Sequence, residues 1–460
     1  MNTENKLGTM PINKLIWNMS LPIIASMFVQ ALYNIVDSIF VSQISEQALT
    51  AVSLAFPAQQ LMMALGVGTA VGINALTGRA LGAGNRKQAN AVACNGLFLA
   101  VLSSLLCCVL CIFFSNTFFS SQTQVKAIIA MGNQYLMIVG CCSVGAFVQI
   151  TFERLLQATG RSVLSMLIQG IGAIINIILD PIFIFVFDMG VTGAAVATVV
   201  GQIVAAGLGI FLNQKHNKEL HLSFRGWRPS LQIIGNIYAI GIPSVIMLAI
   251  GSVMTFLMNK ILITYHAAKE TAATAFGIYF KLNSFVFMPL FGLNNGSISI
   301  LAYNYGARKR RRMVSTIKSV CLYALCIMLV GTALFQAIPH ALLRLFDATD
   351  TMLAVGTPAL RTISISFPFA AICISISGAF QATGKSVYSM IVSVIRQLVV
   401  LIPAAFVLAQ IGQNIGNNEL VWWAFPLAEA VAMMITLLFF YTKLRRKVLN
   451  QLPENDETEI

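Results

Sequence analysis

Two stretches that repeat each other decide how this chain is read. The first is Phe152-Glu-Arg-Leu-Leu-Gln-Ala-Thr-Gly-Arg-Ser-Val-Leu-Ser-Met166, and the second is Gly378-Ala-Phe-Gln-Ala-Thr-Gly-Lys-Ser-Val-Tyr-Ser-Met390. Gln157-Ala158-Thr159-Gly160 matches Gln381-Ala382-Thr383-Gly384 at an offset of 224 residues. Two more anchors keep nearly the same spacing. Pro22 matches Pro243 at 221, and Gly84 with Arg86-Lys87 matches Gly306 with Arg308-Lys309 at 222. The chain therefore reads as a tandem duplication.

Composition says where the two copies live. Of 460 residues 57% are hydrophobic and only 10% charged, with mean hydropathy +0.81, far from a soluble globular chain. Apolar runs near the ~20 residues that cross a bilayer recur throughout. They fall near 15–42, 49–77, 90–113, 125–150, 163–187, 191–212, 231–263, 271–301, 315–338, 352–379, 387–409 and 420–442, six per half. The first run is too long for the apolar core of a signal peptide and lacks a cleavage pattern after a basic flank, so it is expected to remain as a span.

Net charge is +13, yet in a membrane protein the placement of Lys and Arg matters more than their sum. Segments on one side carry the basic residues of 6–14, 79–87, 154–161, 215–228, 308–318, 385 and 443–447, whereas the opposite loops hold only Lys126, Lys269 and Arg344. This asymmetry predicts both termini in the cytoplasm and accounts for the basic excess without nucleic acid. The fold class is thus an all-α integral membrane protein, twelve transmembrane helices in two six-helix bundles. Because six is even, the halves share one orientation, and a pseudo-two-fold along the membrane normal is expected to relate them. The expected boundaries are an N-terminal lobe 1–212, a cytoplasmic linker 213–230, a C-terminal lobe 231–442 and a cytoplasmic tail 443–460.

Polar residues inside apolar runs are costly and mark function. In the fifth span Asp180 follows Asn176 by one turn and precedes Pro181, whose missing N–H should kink or break the helix at the acid. The same Asp-Pro pair also fits an N-cap followed by proline at the first helical position. In the first span Gln30, Asn34 and Asp37 share a face at i, i+4 and i+7. Asp37 also suits an acid reaching the outer interface. In the sixth span Thr198 and Gln202 stand one turn apart, next in the chain to the fifth; a Thr bonding its own backbone is the alternative for Thr198.

Duplication supplies an internal control. Asp37 corresponds to Asn259, and Asn176 and Asp180 correspond to Val400 and Ala404, so the acids belong to one half rather than to the fold. The second half has polar groups of another kind. Arg396 and Glu429 have the charges of an ion pair, Lys260 and Arg361 those of residues reaching from helix ends, and Lys281 beside Asn283 is a cavity candidate. The nine cysteines all lie in apolar segments without zinc spacing and read as packing residues. The glycine-rich loop 78–87 follows no strand and is no phosphate loop.

With twelve spans, two halves, the repeated Gln-Ala-Thr-Gly link and basic loops after the second and eighth spans, the chain resembles the multidrug and toxin extrusion (MATE) family, in its bacterial MepA/DinF-like branch. The resemblance implies a secondary antiporter in the plasma membrane that exports bulky, mostly cationic compounds in exchange for H+ or Na+, without a cofactor. By the same resemblance Asp37, Asn176, Asp180 and Thr198 match an N-lobe cation site, and would be the metal ligands if the ion is Na+. Gln30, Asn34, Gln202, Asn259, Lys281 and Asn283 are candidates for the substrate cavity. A C-lobe acid site of the NorM type is not matched, because Gly251 and Ser252 stand in the relevant part of the seventh span and the tenth has no acid. The expected partners are small cationic drugs or toxins and membrane lipid, and the chain is expected to work as a monomer. The competing expectation is a lipid or lipid-linked oligosaccharide flippase of related architecture. An enzyme lacks its parts: there is no HExxH or GxSxG, and the four His lie in loops or at helix ends.

Overall fold

The computed structural model describes residues 5–225, 227–346 and 348–453; the acidic end of the tail, from Glu454 to Glu459, lies outside them. Among the described residues every regular element is helical. Ten helices are long and apolar enough to cross a membrane, and two bent pairs bring the number to twelve if each pair is one span. Without water in the bilayer core each backbone group must be paired inside its own segment, which leaves helix as the form for such runs.

A short helix α1 (Lys6–Thr9) precedes the spans α2 (Ile12–Ile44), α3 (Glu46–Gly82) and α4 (Arg86–Ser120). The next span, expected to be continuous over 125–150, is two helices, α5 (Lys126–Cys141) and α6 (Val144–Ala158), bent by 47°. Then come α7 (Ser162–Pro181) and α8 (Gly190–His216). The second half follows with α9 (Leu231–Tyr265), α10 (Lys269–Gly306), α11 (Arg310–Ala337) and a short α12 (Pro339–Arg344). The run expected over 352–379 is also a bent pair, α13 (Asp350–Ser364) and α14 (Phe367–Ala382), at 48°. The last spans contain α15 (Ser386–Val394), α16 (Ile402–Ile415) and α17 (Ala424–Phe439).

The two breaks fall at matching places, Ser143 and Ser366. Ser143 Oγ donates to Ser104 Oγ at 3.2 Å, Ser366 Oγ to the carbonyl of Ile363 at 2.6 Å, and Pro368 has no N–H to give. A short side chain that satisfies backbone or neighbour lets the helix bend inside an apolar run, something hydropathy alone does not register.

The repeated link is a helix cap in both copies. Gly160 and Gly384 hold φ of 79° and 72°, the left-handed region where glycine carries no Cβ penalty. Their amides donate to Gln157 O at 3.0 Å and Gln381 O at 3.1 Å, and the next amides, of Arg161 and Lys385, donate to Leu156 O and Phe380 O at 2.7 Å. Thr159 and Thr383 turn their hydroxyls back onto Leu155 O and Ala379 O, and Gln157 Nε2 donates across the turn to Ser165 Oγ at 2.9 Å. Gln-Ala-Thr-Gly is therefore an elbow between two spans.

The chain forms two compact units: 1–245 with 302–307, and 246–301 with 308–460. The first unit has an inverted surface. On α4, Leu102, Leu105, Leu106, Val109, Ile112 and Phe113 are exposed, while Ser103, Ser104, Cys107, Cys111 and Ser115 are buried. Lipid takes the bulky face and small or weakly polar side chains the protein face, the pattern that allows helices to approach closely in a membrane. Cys107 and Cys111 are thus packing residues, and Gly140 of α5 lies directly against Cys111 Sγ. The glycines of α3 also serve close approach, with Gly66 against the Phe147 ring and Gly72 against the Ile237 carbonyl.

Candidate cation site

Asp180 lies inside α7, one residue before its last, and is fully buried; it caps no helix. The expected break at Pro181 takes a milder form. Residues Ile182–Val186 continue as a π-helical turn, and Ser162–Val186 remains one span. The wider turn absorbs the hydrogen bond that proline cannot make, so the acid stays on the helix face toward its neighbours.

Glycine sets the distance between α7 and α8. A Cβ on Gly201 would stand 2.8 Å from Gly172 O and 3.3 Å from Asn176 Cβ, and one on Gly172 would stand 2.9 Å from Ala205 Cβ. The bare backbones touch at this point. The contact brings Thr198, one turn before Gly201, beside Asn176, whose Nδ2 donates to Asp180 Oδ1 at 3.2 Å and to Thr198 Oγ1 at 3.4 Å.

α2 packs along α7 and supplies the second acid. Ser162 Oγ donates to the Asn18 carbonyl at 3.1 Å, Gln169 Nε2 to Gln30 Oε1 at 2.8 Å, and further along the same pair of helices the charges of Asp37 and Asp180 act on each other. The polar stripe of α2 thus faces α7 at Gln30 and Asp37, while Asn34 between them is exposed.

Asn176 spends its amide hydrogens on Asp180 and Thr198. What remains is a surplus of acceptors: Asp37 Oδ1, Asn176 Oδ1, Asp180 Oδ2 and Gln202 Oε1 are all buried with no hydrogen-bond donor. A buried acceptor with no partner costs about 1–3 kcal/mol, and a hard cation or a proton would satisfy such oxygens. Among the described residues no three of His, Cys, Asp and Glu gather, and this donor set of two carboxylates, an amide and a hydroxyl suits an oxygen-seeking ion.

Two tyrosines escaped the sequence reading. Tyr33 lies within electrostatic reach of Asp37, Asp180 and Glu153, and Tyr135 of α5 within reach of Asp37 and Asp180. The Tyr135 hydroxyl accepts from Gln59 Nε2 at 3.2 Å. Tyr33 stands four residues before Asp37, a spacing that shares its face and was visible in the sequence; Tyr135 sits beyond the unforeseen bend.

In the second unit the candidates are more scattered. Arg396 Nη1 donates to Glu429 Oε1 at 3.0 Å in the expected ion pair, carried on a π-helical stretch, Ile395–Leu401, and on α17. Asn259 is half-buried with Oδ1 unpartnered, Asn283 Oδ1 accepts from the Tyr279 hydroxyl at 3.3 Å, and Lys281 is exposed with Nζ 5.8 Å above the Phe346 ring.

Thr198→Val keeps the shape of the first-unit site and removes one oxygen. The half-saturating concentration of the driving ion is expected to rise roughly fivefold, the equivalent of about one hydrogen bond, while Thr198→Ser stays near wild type; ion titrations of dye efflux in proteoliposomes measure both.

Known proteins share this fold. The MatE family model matches residues 22–182 and 243–407, one stretch in each half. The chain is 26% identical over 432 residues to the multidrug export protein MepA of Staphylococcus aureus, spanning 94% of each protein. It is likewise 26% identical over 443 residues to MepA of Staphylococcus haemolyticus, spanning 96% of each. An outward-facing structure of a multidrug resistance MATE family transporter of the MOP superfamily matches with TM-score 0.90 at 24% identity, over 98% of this chain and 99% of that one. The fold is that of these transporters, and this multi-pass membrane protein is a transporter rather than an enzyme. With a stretch matched in each half, together more than half of the residues, the chain belongs to the MatE family.

Proposed function

We propose that the chain is a secondary multidrug efflux antiporter, exporting bulky cationic or amphipathic compounds across a bacterial plasma membrane in exchange for H+ or Na+. The carrying observation is the surplus of buried acceptor oxygens around Asp37 and Asp180. A fully buried carboxylate beside a half-buried one is far better off holding a proton or cation than bearing a bare charge. Asn176 and Thr198 orient Asp180, and Gln202 adds an oxygen.

Ion occupancy then biases α2 and α7 between two packings, by no more than the difference in ion affinity between them. The π-helical turn after Pro181 is the compliant part of α7. A cationic substrate competes electrostatically with the loaded ion and is favoured when the ion has left, a reciprocity that antiport requires. Both termini lie in the cytoplasm by the placement of Lys and Arg, and two lobes alternating in access carry substrate outward.

Ethidium efflux from proteoliposomes, with pH and sodium gradients imposed separately, tests the reading. One gradient is expected to raise the rate at least about tenfold, as expected for an ion coupled by 1.4 kcal/mol or more. Equal rates with either gradient and with none would overturn ion-coupled export.

A further inference from the structure

The elbow of the first half encloses a second polar site, remote from the acids. A cavity of about 410 Å³ is lined by Asn5, Lys6, Thr159, Gly160, Arg161 and Glu219, with Val163 and Leu164 at its edge. It exists because the N-terminal segment is fastened across the elbow. Asn5 caps α1 by accepting from Leu7 N, donates to Thr159 O at 3.1 Å, and donates to both oxygens of Glu219 at 2.6 and 2.7 Å. Leu7 is held from its other side by Asn304, whose Nδ2 donates to the Leu7 carbonyl at 3.0 Å. Gly160 keeps the space open, since a Cβ there would stand 3.1 Å from Lys6 Cε and 3.2 Å from Asn5 Oδ1.

Positive charge in this cavity outweighs negative. Lys6 Nζ donates to Asn18 Oδ1 at 2.6 Å, a neutral amide. Arg161 Nε is buried with no hydrogen-bond partner. Arg161 is the N-cap residue of α7, so the site lies at the end of a span that carries the partial positive charge an anion prefers. Glu219 is the single acid in the lining, its oxygens are taken by Asn5, and both Arg161 and Arg86 act on it. Burial and then the Arg161 charge lower the Lys6 pKa, as expected where a like charge stands nearby. Val163, in the first turn of α7, is 45% exposed, so the cavity lies at the level where a span enters hydrocarbon.

We propose that this cavity is a phosphate-binding site, with Lys6 and Arg161 holding the oxygens of a phosphate group. A lipid headgroup and free phosphate share that chemistry; the exposed Val163 in the lining and the anionic cytoplasmic leaflet favour the lipid.

Native mass spectrometry and thermal unfolding of the purified full chain, with phosphatidylglycerol, phosphatidylcholine or inorganic phosphate added, provide the test. Wild type is expected to retain phosphatidylglycerol over phosphatidylcholine, and each of the two cations should contribute about fivefold, the effect of one basic residue beside an anionic surface. Lys6→Gln should lose about fivefold of that preference and Lys6→Gln with Arg161→Gln roughly 25-fold, while Lys6→Arg keeps it. Protection from unfolding by inorganic phosphate, lost in the same variants and without lipid adducts, would assign the site to the soluble anion. Unchanged lipid preference and unchanged phosphate protection in Lys6→Gln would overturn the proposal. Dye efflux is not the readout, so failure here leaves the cation site untouched.

Discussion

Asp180→Asn is expected to reduce gradient-driven ethidium efflux to the background of empty liposomes while the protein still inserts and folds. Asparagine keeps the size and an oxygen for Asn176 Nδ2, which donates to Asp180 at 3.2 Å, but it cannot take up and release a charge. An ion that must carry a two-state balance from 1:99 to 99:1 needs about 10⁴-fold differential affinity, and removing the carboxylate removes that difference. Stability should move the other way or stay within about 1 kcal/mol, because a fully buried carboxylate is a cost to the fold. Loss of efflux with an unchanged melting temperature therefore identifies a functional acid. Wild-type efflux in the variant would remove Asp180 from the site. Asp37→Asn should behave alike, and full activity there would leave Asp180 acting alone.

The second large effect is expected from a residue with no polar atoms in its side chain. At Gly201 an added Cβ meets the Gly172 carbonyl at 2.8 Å, a contact with backbone that only a shift of α8 can relieve. That shift lengthens the Asn176–Thr198 bond, already 3.4 Å, past hydrogen-bonding range. Gly201→Val should lower stability by about 1–3 kcal/mol, the usual cost of overpacking, and abolish efflux together with it. Gly207, on the same helix with nothing within 4 Å of an added Cβ, is the control. Gly207→Ala should leave efflux intact and gain up to about 1 kcal/mol from helix propensity. Equal melting temperatures for the Gly201 and Gly207 variants would show that the close contact does not set the site.

Much of this was legible from residue order. Bilayer-length apolar runs and the repeat of Gln157–Gly160 at Gln381–Gly384 led to an all-helical membrane protein in two halves, and the i, i+4 spacing of Asn176 and Asp180 put an amide beside an acid. The bends at Ser143 and Ser366 were hidden, because a hydropathy run records how apolar a segment is and not where one hydroxyl satisfies a carbonyl. Pro181 promised a break and produced a π-helical turn, since the span could widen one turn at lower cost than exposing backbone to lipid. Tyr135 was illegible for a different reason: its approach to the acids depends on how α5 packs after the bend. Arg396 and Glu429 announced themselves by charge alone, two opposite charges in apolar runs.

The two elbows also have a kinetic meaning. The bonds that close the first elbow on itself, among Leu155 to Ser165, join residues within ten positions of each other, and the second repeats the backbone and threonine bonds. Contacts so local in sequence close at little loop entropy and form early. Each half should then enter assembly with a preformed helical hairpin at its centre, so that the long-range Gly172–Gly201 seam and the acids beside it are completed last, against a corner already set.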